Sequence, residues 1–85
     1  MVYKLLIDSR VIKDLKNIDK KWQIKILNTI RNKLIKNPHT GKKLTGDLSR
    51  YHRLRVGNYR IIYEIDEEQN TIIVLKVGHR KNVYR

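Results

Sequence analysis

From Tyr51 to Gly78 the chain alternates residue types with a period of two, and ahead of Pro38 it repeats apolar residues at helical spacing. Val2 to Asp8 alternates as a first strand. Ser9 is placed to cap a helix carrying Val11, Ile12, Leu15 and Ile18 on one side. Asp19 is placed to cap a second helix, with Trp22, Ile26, Leu27, Ile30 and Leu34 along its apolar stripe. Asn37-Pro38 ends it, because a residue before proline avoids the α region. The stretch from His39 to Arg50 reads as a loop with room for a short turn or strand. Three strands follow: Tyr51 to Val56, Tyr59 to Asp66 after a Gly57-Asn58 turn, and Thr71 to Gly78 after Glu67 to Asn70. The order predicts an α+β fold, β-α-α-β-β-β, with two N-terminal helices on one face of a small, twisted, mainly antiparallel sheet. Trp22 reads as a core anchor at the helix junction.

Successive strand side chains point to opposite faces, so each strand divides into two sets. His52, Leu54 and Val56 oppose Tyr51, Arg53 and Arg55. Ile61, Tyr63 and Ile65 oppose Arg60, Ile62 and Glu64, and Ile73, Leu75 and Val77 oppose Ile72, Val74 and Lys76. With the apolar sets inward, Arg53, Arg55, Arg60, Lys76 and Arg80 are expected to share the other face. A single arginine there is what any solvated sheet face carries. The set is less ordinary, since six of the 8 arginines lie at position 50 or later while the helical half relies mainly on lysine. Solubility does not require that shift, whereas bidentate recognition of phosphate does.

Eighty-five residues imply one small domain, spanning 1–85, with one core. A net charge of +12 over that length favours polyanionic partners such as nucleic acid. There are no cysteines, which removes thiolate metal sites and thiol chemistry and suits the cytoplasm. No apolar run is long enough to span a bilayer, and Lys4, Asp8 and Arg10 break up any signal-peptide core. The lysines of the helical segments, among them Lys13, Lys16, Lys20, Lys21, Lys25, Lys33 and Lys36, read as a solvated outer face.

His39, His52 and His79 are scattered without metal-ligand spacing, and Gly41, Gly46, Gly57 and Gly78 form no phosphate loop, so no metal and no cofactor is expected. The chemistry left open is RNA cleavage through the substrate's own 2′-hydroxyl. It needs a base, cations around the phosphorane and an acid for the 5′-oxygen. Arg53, Arg55 and Arg60 can supply charge. Arginine stays protonated, so the base is sought among His52, His79, Tyr84, Glu64 and a nearby lysine. Alternation turns His52 toward the core.

Lys43-Leu44-Thr45-Gly46, the run from Tyr51 to Tyr63, Val77-Gly78-His79-Arg80 and Val83-Tyr84 together resemble the RelE branch of the RelE/ParE toxin superfamily of type II toxin–antitoxin pairs. The resemblance implies an mRNA endonuclease of the ribosomal A site, held inactive by a cognate acidic, RelB-like antitoxin in a hetero-oligomer away from membranes. Carried over by position, Arg53 is the strand cation, Arg60 the phosphate stabiliser, Arg80 the group assisting the leaving oxygen, and Tyr84 the residue that stacks on or orients the nucleotide. His79 joins the catalytic candidates because some related toxins carry a histidine and a tyrosine near the C-terminus. Tyr51, Arg55, Lys76 and Lys43 are the expected RNA contacts. The chain departs from members with two lysines spaced two apart on this strand, since the matching positions hold Tyr51 and Arg53; the base therefore does not carry over. Two alternatives share the fold: a ParE-like gyrase inhibitor without nuclease activity, and a catalytically impaired nucleic-acid-binding member.

Overall fold

In the computed structural model, which describes residues 3–79, the helices form where the periodicity places them, but the first is capped one residue earlier than expected. β1 (Lys4–Ile7) leads into α1 (Ser9–Lys16), and Asp8, not Ser9, is the N-cap. Asp8 keeps extended dihedrals, and its Oδ1 accepts the Arg10 N–H at 2.8 Å. A carboxylate is the better acceptor at the positive end of a helix. The Arg10 guanidinium reinforces it, holding the Asp8 carboxyl down to about 2.

α2 (Lys20–Thr29) begins at Asp19, whose Oδ1 accepts the Lys21 N–H at 3.3 Å, as the sequence predicts. It runs on through a widened turn, Ile30–Leu34, where the Ile35 N–H reaches back five residues to the Ile30 carbonyl at 3.1 Å. Ile26, Ile30 and Leu34 are all fully buried along this side. No helix among the described residues is long and apolar enough to cross a membrane.

The sheet has five strands in the order β1-β5-β4-β3-β2, with β2 (Lys42–Lys43), β3 (Tyr51–Val56), β4 (Tyr59–Asp66) and β5 (Thr71–His79). β1 pairs with β5 in parallel and every other pairing is antiparallel. The helices cover one face. Val11, Leu15, Ile26, Ile30 and Leu34 pack there against Leu54, Ile61, Tyr63, Ile72, Val74 and Val77.

The core side of β5 corrects the alternation. Ile61 opposes Val77 and Ile62 opposes Lys76, yet Tyr63 opposes Val74, so Leu75 is one residue extra. This bulge reverses the parity of the strand before it. Ile72 and Val74 are therefore fully buried, while Ile73 and Leu75, the expected core residues, are only half-buried.

Candidate nucleic-acid interface

The β3–β4 hairpin determines where the arginines stand. Its two-residue connection has a positive φ of 59° at Gly57 and none at Asn58, the pattern of a II′ turn suited to the strand twist. That turn pairs Arg55 with Arg60 and Arg53 with Ile62. Directly opposed residues share a face with their Cβ atoms about 4.5–5.5 Å apart, and opposed like charges are destabilising. Arg60 also opposes Gly78 of β5, so the row Arg55–Arg60–Gly78 presents two guanidinium groups beside a position with no side chain.

The next row contains Lys42, Arg53, Ile62 and Lys76. A further row holds Tyr51, Glu64, Ile73 and Leu6. The Tyr51 phenol oxygen accepts a hydrogen bond from Arg50 at 2.9 Å. Arg53, Arg55, Arg60 and Tyr51 thus lie together on the face away from the helices, as alternation predicts.

Three expected members of this site are placed differently. Lys43 opposes His52 and so belongs to the helix side; it is Lys42 that stands beside Arg53. No period-two signal could have identified Lys42 in a strand two residues long. Lys76 occupies the second row, but its ammonium lies 3.7 Å from Asp14 Oδ2 on α1, so the helix layer partly neutralises it. His79 extends β5 opposite Tyr59, and their rings meet edge-on at 5.9 Å. It lines a cavity of about 340 Å³ with Asp14, Asn17, Ile18 and Tyr59 on the helix side. Arg80 and Tyr84 lie outside the described residues.

His52, one of the base candidates, is turned inward. Its ring stacks on Tyr63 at 5.4 Å, His39 meets it edge-on at 6.2 Å, and its Nδ1 is buried without a hydrogen-bond partner. Burial, reinforced by His39 and Lys43, holds the imidazole below its usual 6.5. The folded state therefore disfavours the proton that the unfolded chain takes up near that value. Stability is expected to fall as pH drops from about 7 to 5, by at most about 1.4 kcal/mol per pH unit. Chemical denaturation across that range checks this, with His52→Asn expected to flatten the slope.

Tyr63 secures the segment leading into β2. Its buried hydroxyl donates to the Pro38 carbonyl at 2.6 Å. Burial pushes the phenol up to about 12. Gly41 passes so close that a Cβ there would run into the Tyr63 hydroxyl and the Arg53 carbonyl oxygen. Tyr63→Phe strands the Pro38 carbonyl and is expected to cost about 1–3 kcal/mol, read as a shift in the urea midpoint.

Among the described residues no group of three or more potential metal ligands comes together. The family model for the ParE toxin of type II toxin–antitoxin systems (parDE) matches residues 5–84. The chain belongs to the RelE/ParE superfamily of type II toxins. It is 30% identical over 84 residues to the Toxin RelE of Mycobacterium tuberculosis, covering 98% of this chain and 87% of that one. Among solved structures, it matches a chain of the RelBE2 toxin–antitoxin complex of M. tuberculosis with a TM-score of 0.89 and 26% identity, over 96% of this chain and 95% of that one. The archaeal RelE–RelB complex of Pyrococcus horikoshii gives 0.77 and 29%, over 98% and 100%. As a superfamily toxin, the chain keeps the α+β fold of these relatives with a mixed five-stranded sheet.

Proposed function

We propose that this toxin is a metal-independent endoribonuclease that cleaves mRNA in the ribosomal A site. The observation that carries the reading is the opposed Arg55–Arg60 pair, with Arg53 in the adjoining row. Like charges placed opposite one another cost stability, and a dianionic phosphorane between the guanidinium groups reverses the sign of that interaction. The RelE names of relatives near 30% identity support the same chemistry.

In this reaction the 2′-oxygen attacks the adjacent phosphorus as its proton passes to a base. The P–O5′ bond breaks and the 5′-oxygen takes up a proton, leaving a 2′,3′-cyclic phosphate and a 5′-hydroxyl. Arg60 and Arg55 bind the non-bridging oxygens and Arg53 holds the strand. Among the described residues, Glu64 is the base candidate best situated, one row beyond Arg53 on the arginine face; His52 and His79 face the helices. Arg80 and Tyr84 retain the leaving-group and nucleotide-orienting roles that the resemblance assigns them.

The partner we propose is a RelB-like antitoxin with an acidic, amphipathic segment, which would neutralise part of the +12 charge in a cytoplasmic hetero-oligomer. Co-purification with the product of an adjoining small gene tests it.

Primer extension on an mRNA under translation in vitro tests the nuclease. Codon-phased 5′ ends that require both toxin and ribosomes are the expected result. Arrested translation with intact mRNA would transfer the toxin to the non-nucleolytic, ParE-like reading.

A further inference from the structure

Two rows of the open sheet face repeat one arrangement. Arg55 opposes Arg60 in the first, and Lys42 opposes Arg53 in the second. Among the described residues neither Lys42 nor Arg53 has a carboxylate partner. Lysine on an edge strand ordinarily serves to prevent edge-to-edge pairing and needs only water around it. Lys42 differs in two respects. It stands directly opposite a half-buried arginine, and it borders a cavity of about 220 Å³ lined by Lys42, Lys43, Leu44, Thr45 and Arg53. Lys43 belongs to the helix side, which leaves two open-face cations, Lys42 and Arg53, beside the Thr45 hydroxyl with no acid in the lining, the composition of an anion site.

The backbone holds this cavity open. β2 is too short to keep its register unaided, and three contacts flank it. The Leu44 N–H donates to the Tyr51 carbonyl at 3.0 Å, and Tyr63 is bonded to the Pro38 carbonyl at 2.6 Å. Gly41 lies against the Arg53 carbonyl at a distance that excludes any side chain. Lys42 is therefore prepositioned by buried contacts, although its own side chain is exposed.

We propose that Lys42 and Arg53, with the Thr45 hydroxyl, form a second phosphate subsite that binds the RNA phosphate next to the scissile one. The inference rests on the RNA-substrate reading above. Arg53 and Arg55 are two residues apart on one strand, about 6.6–6.8 Å, close to the separation of successive phosphates on an extended single strand. An RNA strand running parallel to β3 would then place consecutive phosphates on consecutive cationic rows. The second contact determines which phosphate reaches Arg55 and Arg60, and Lys42 is its positioning residue.

The test measures binding of a short fluorescein-labelled single-stranded 2′-O-methyl RNA, which lacks the attacking hydroxyl, by anisotropy over a range of salt. Wild type is compared with Lys42→Gln, Lys42→Arg and the charge-matched control Lys16→Gln on α1. Lys42→Gln is expected to weaken binding about fivefold and to reduce the magnitude of the salt slope by about 0.7, the value of one single-strand phosphate contact. Lys42→Arg should stay near wild type, and Lys16→Gln should leave the slope unchanged. Equal behaviour of Lys42→Gln and Lys16→Gln overturns the subsite. In ribosome-programmed cleavage, a methylphosphonate next to the scissile phosphate should slow wild type and leave Lys42→Gln no slower than on unmodified RNA; equal slowing of both overturns it as well. If wild type leaves mRNA intact, the nuclease reading falls, and the binding comparison still decides the subsite.

Discussion

Arg60→Ala is expected to reduce mRNA cleavage by about 10²–10³-fold while the protein stays folded. Arg60 stands opposite Arg55 and next to Gly78, so its guanidinium is in the row where the phosphorane charge would develop. A donor pre-aimed at that charge contributes more in the transition state than in substrate binding, so the loss should appear in kcat. Removing one of two opposed cations relieves their mutual repulsion, which offsets part of what is lost with the half-buried Arg60 side chain, so any change in unfolding free energy should stay within about 1–2 kcal/mol. Arg60→Lys restores the charge without the two-pronged fork and should recover only part of the rate. Single-turnover cleavage on programmed ribosomes, alongside a thermal melt, measures both. Wild-type cleavage by a folded Arg60→Ala protein would remove the arginine row from the mechanism.

Gly57→Ala should be the most destabilising small substitution in the hairpin, by about 2–4 kcal/mol. Two costs combine. The backbone at Gly57 has φ of 59°, a region that L-residues with a Cβ rarely adopt. A Cβ there would also run into the indole of Trp22, which packs against Tyr59 at 5.9 Å and carries the Lys25 ammonium 4.7 Å above its ring. The expected drop in Tm is on the order of 10–20 °C for a chain of this size. The two costs separate in a double mutant: in a Trp22→Ala background the clash disappears and only the backbone strain remains, so the effects should be less than additive. Full additivity would show that the indole does not constrain the turn. Because this turn sets the pairing of Arg55 with Arg60, a residue inserted beside Gly57 would also turn one arginine toward the core.

The elements that alternate cleanly were legible. In β3 and β4 a strict period of two and a glycine turn dictate which side chains share a face, so the grouping of Arg53, Arg55 and Arg60 needed no tertiary information. Both helices were legible from their apolar spacing. The N-cap of α1 was displaced because Asp8 and Ser9 are both good caps, and only the path of the chain leaving β1 selects the carboxylate.

Other features depend on partners distant in sequence. The bulge at Leu75 has no local signature, since any residue of an apolar run can be the extra one; packing against Tyr63 and the helices selects it. It makes Ile72 and Val74 core residues in place of Ile73 and Leu75. His79 faces the helices because β5 continues its pairing as far as Tyr59, and Lys76 is drawn to Asp14, 62 positions earlier. Lys42 reaches the interface because Pro38, Gly41 and Leu44 bind a two-residue strand against β3.

By itself, the sequence determined the +12 charge, the helices, the hairpin and the arginine face, because each follows from local periodicity or from simple counting. The tertiary structure alone decided the inward turn of His79, the neutralisation of Lys76 and the pairing of Lys42 with Arg53. Those depend on register between strands, as the burial of Ile72 and Val74 depends on one extra residue, and register is settled by how a core closes rather than by any segment read alone.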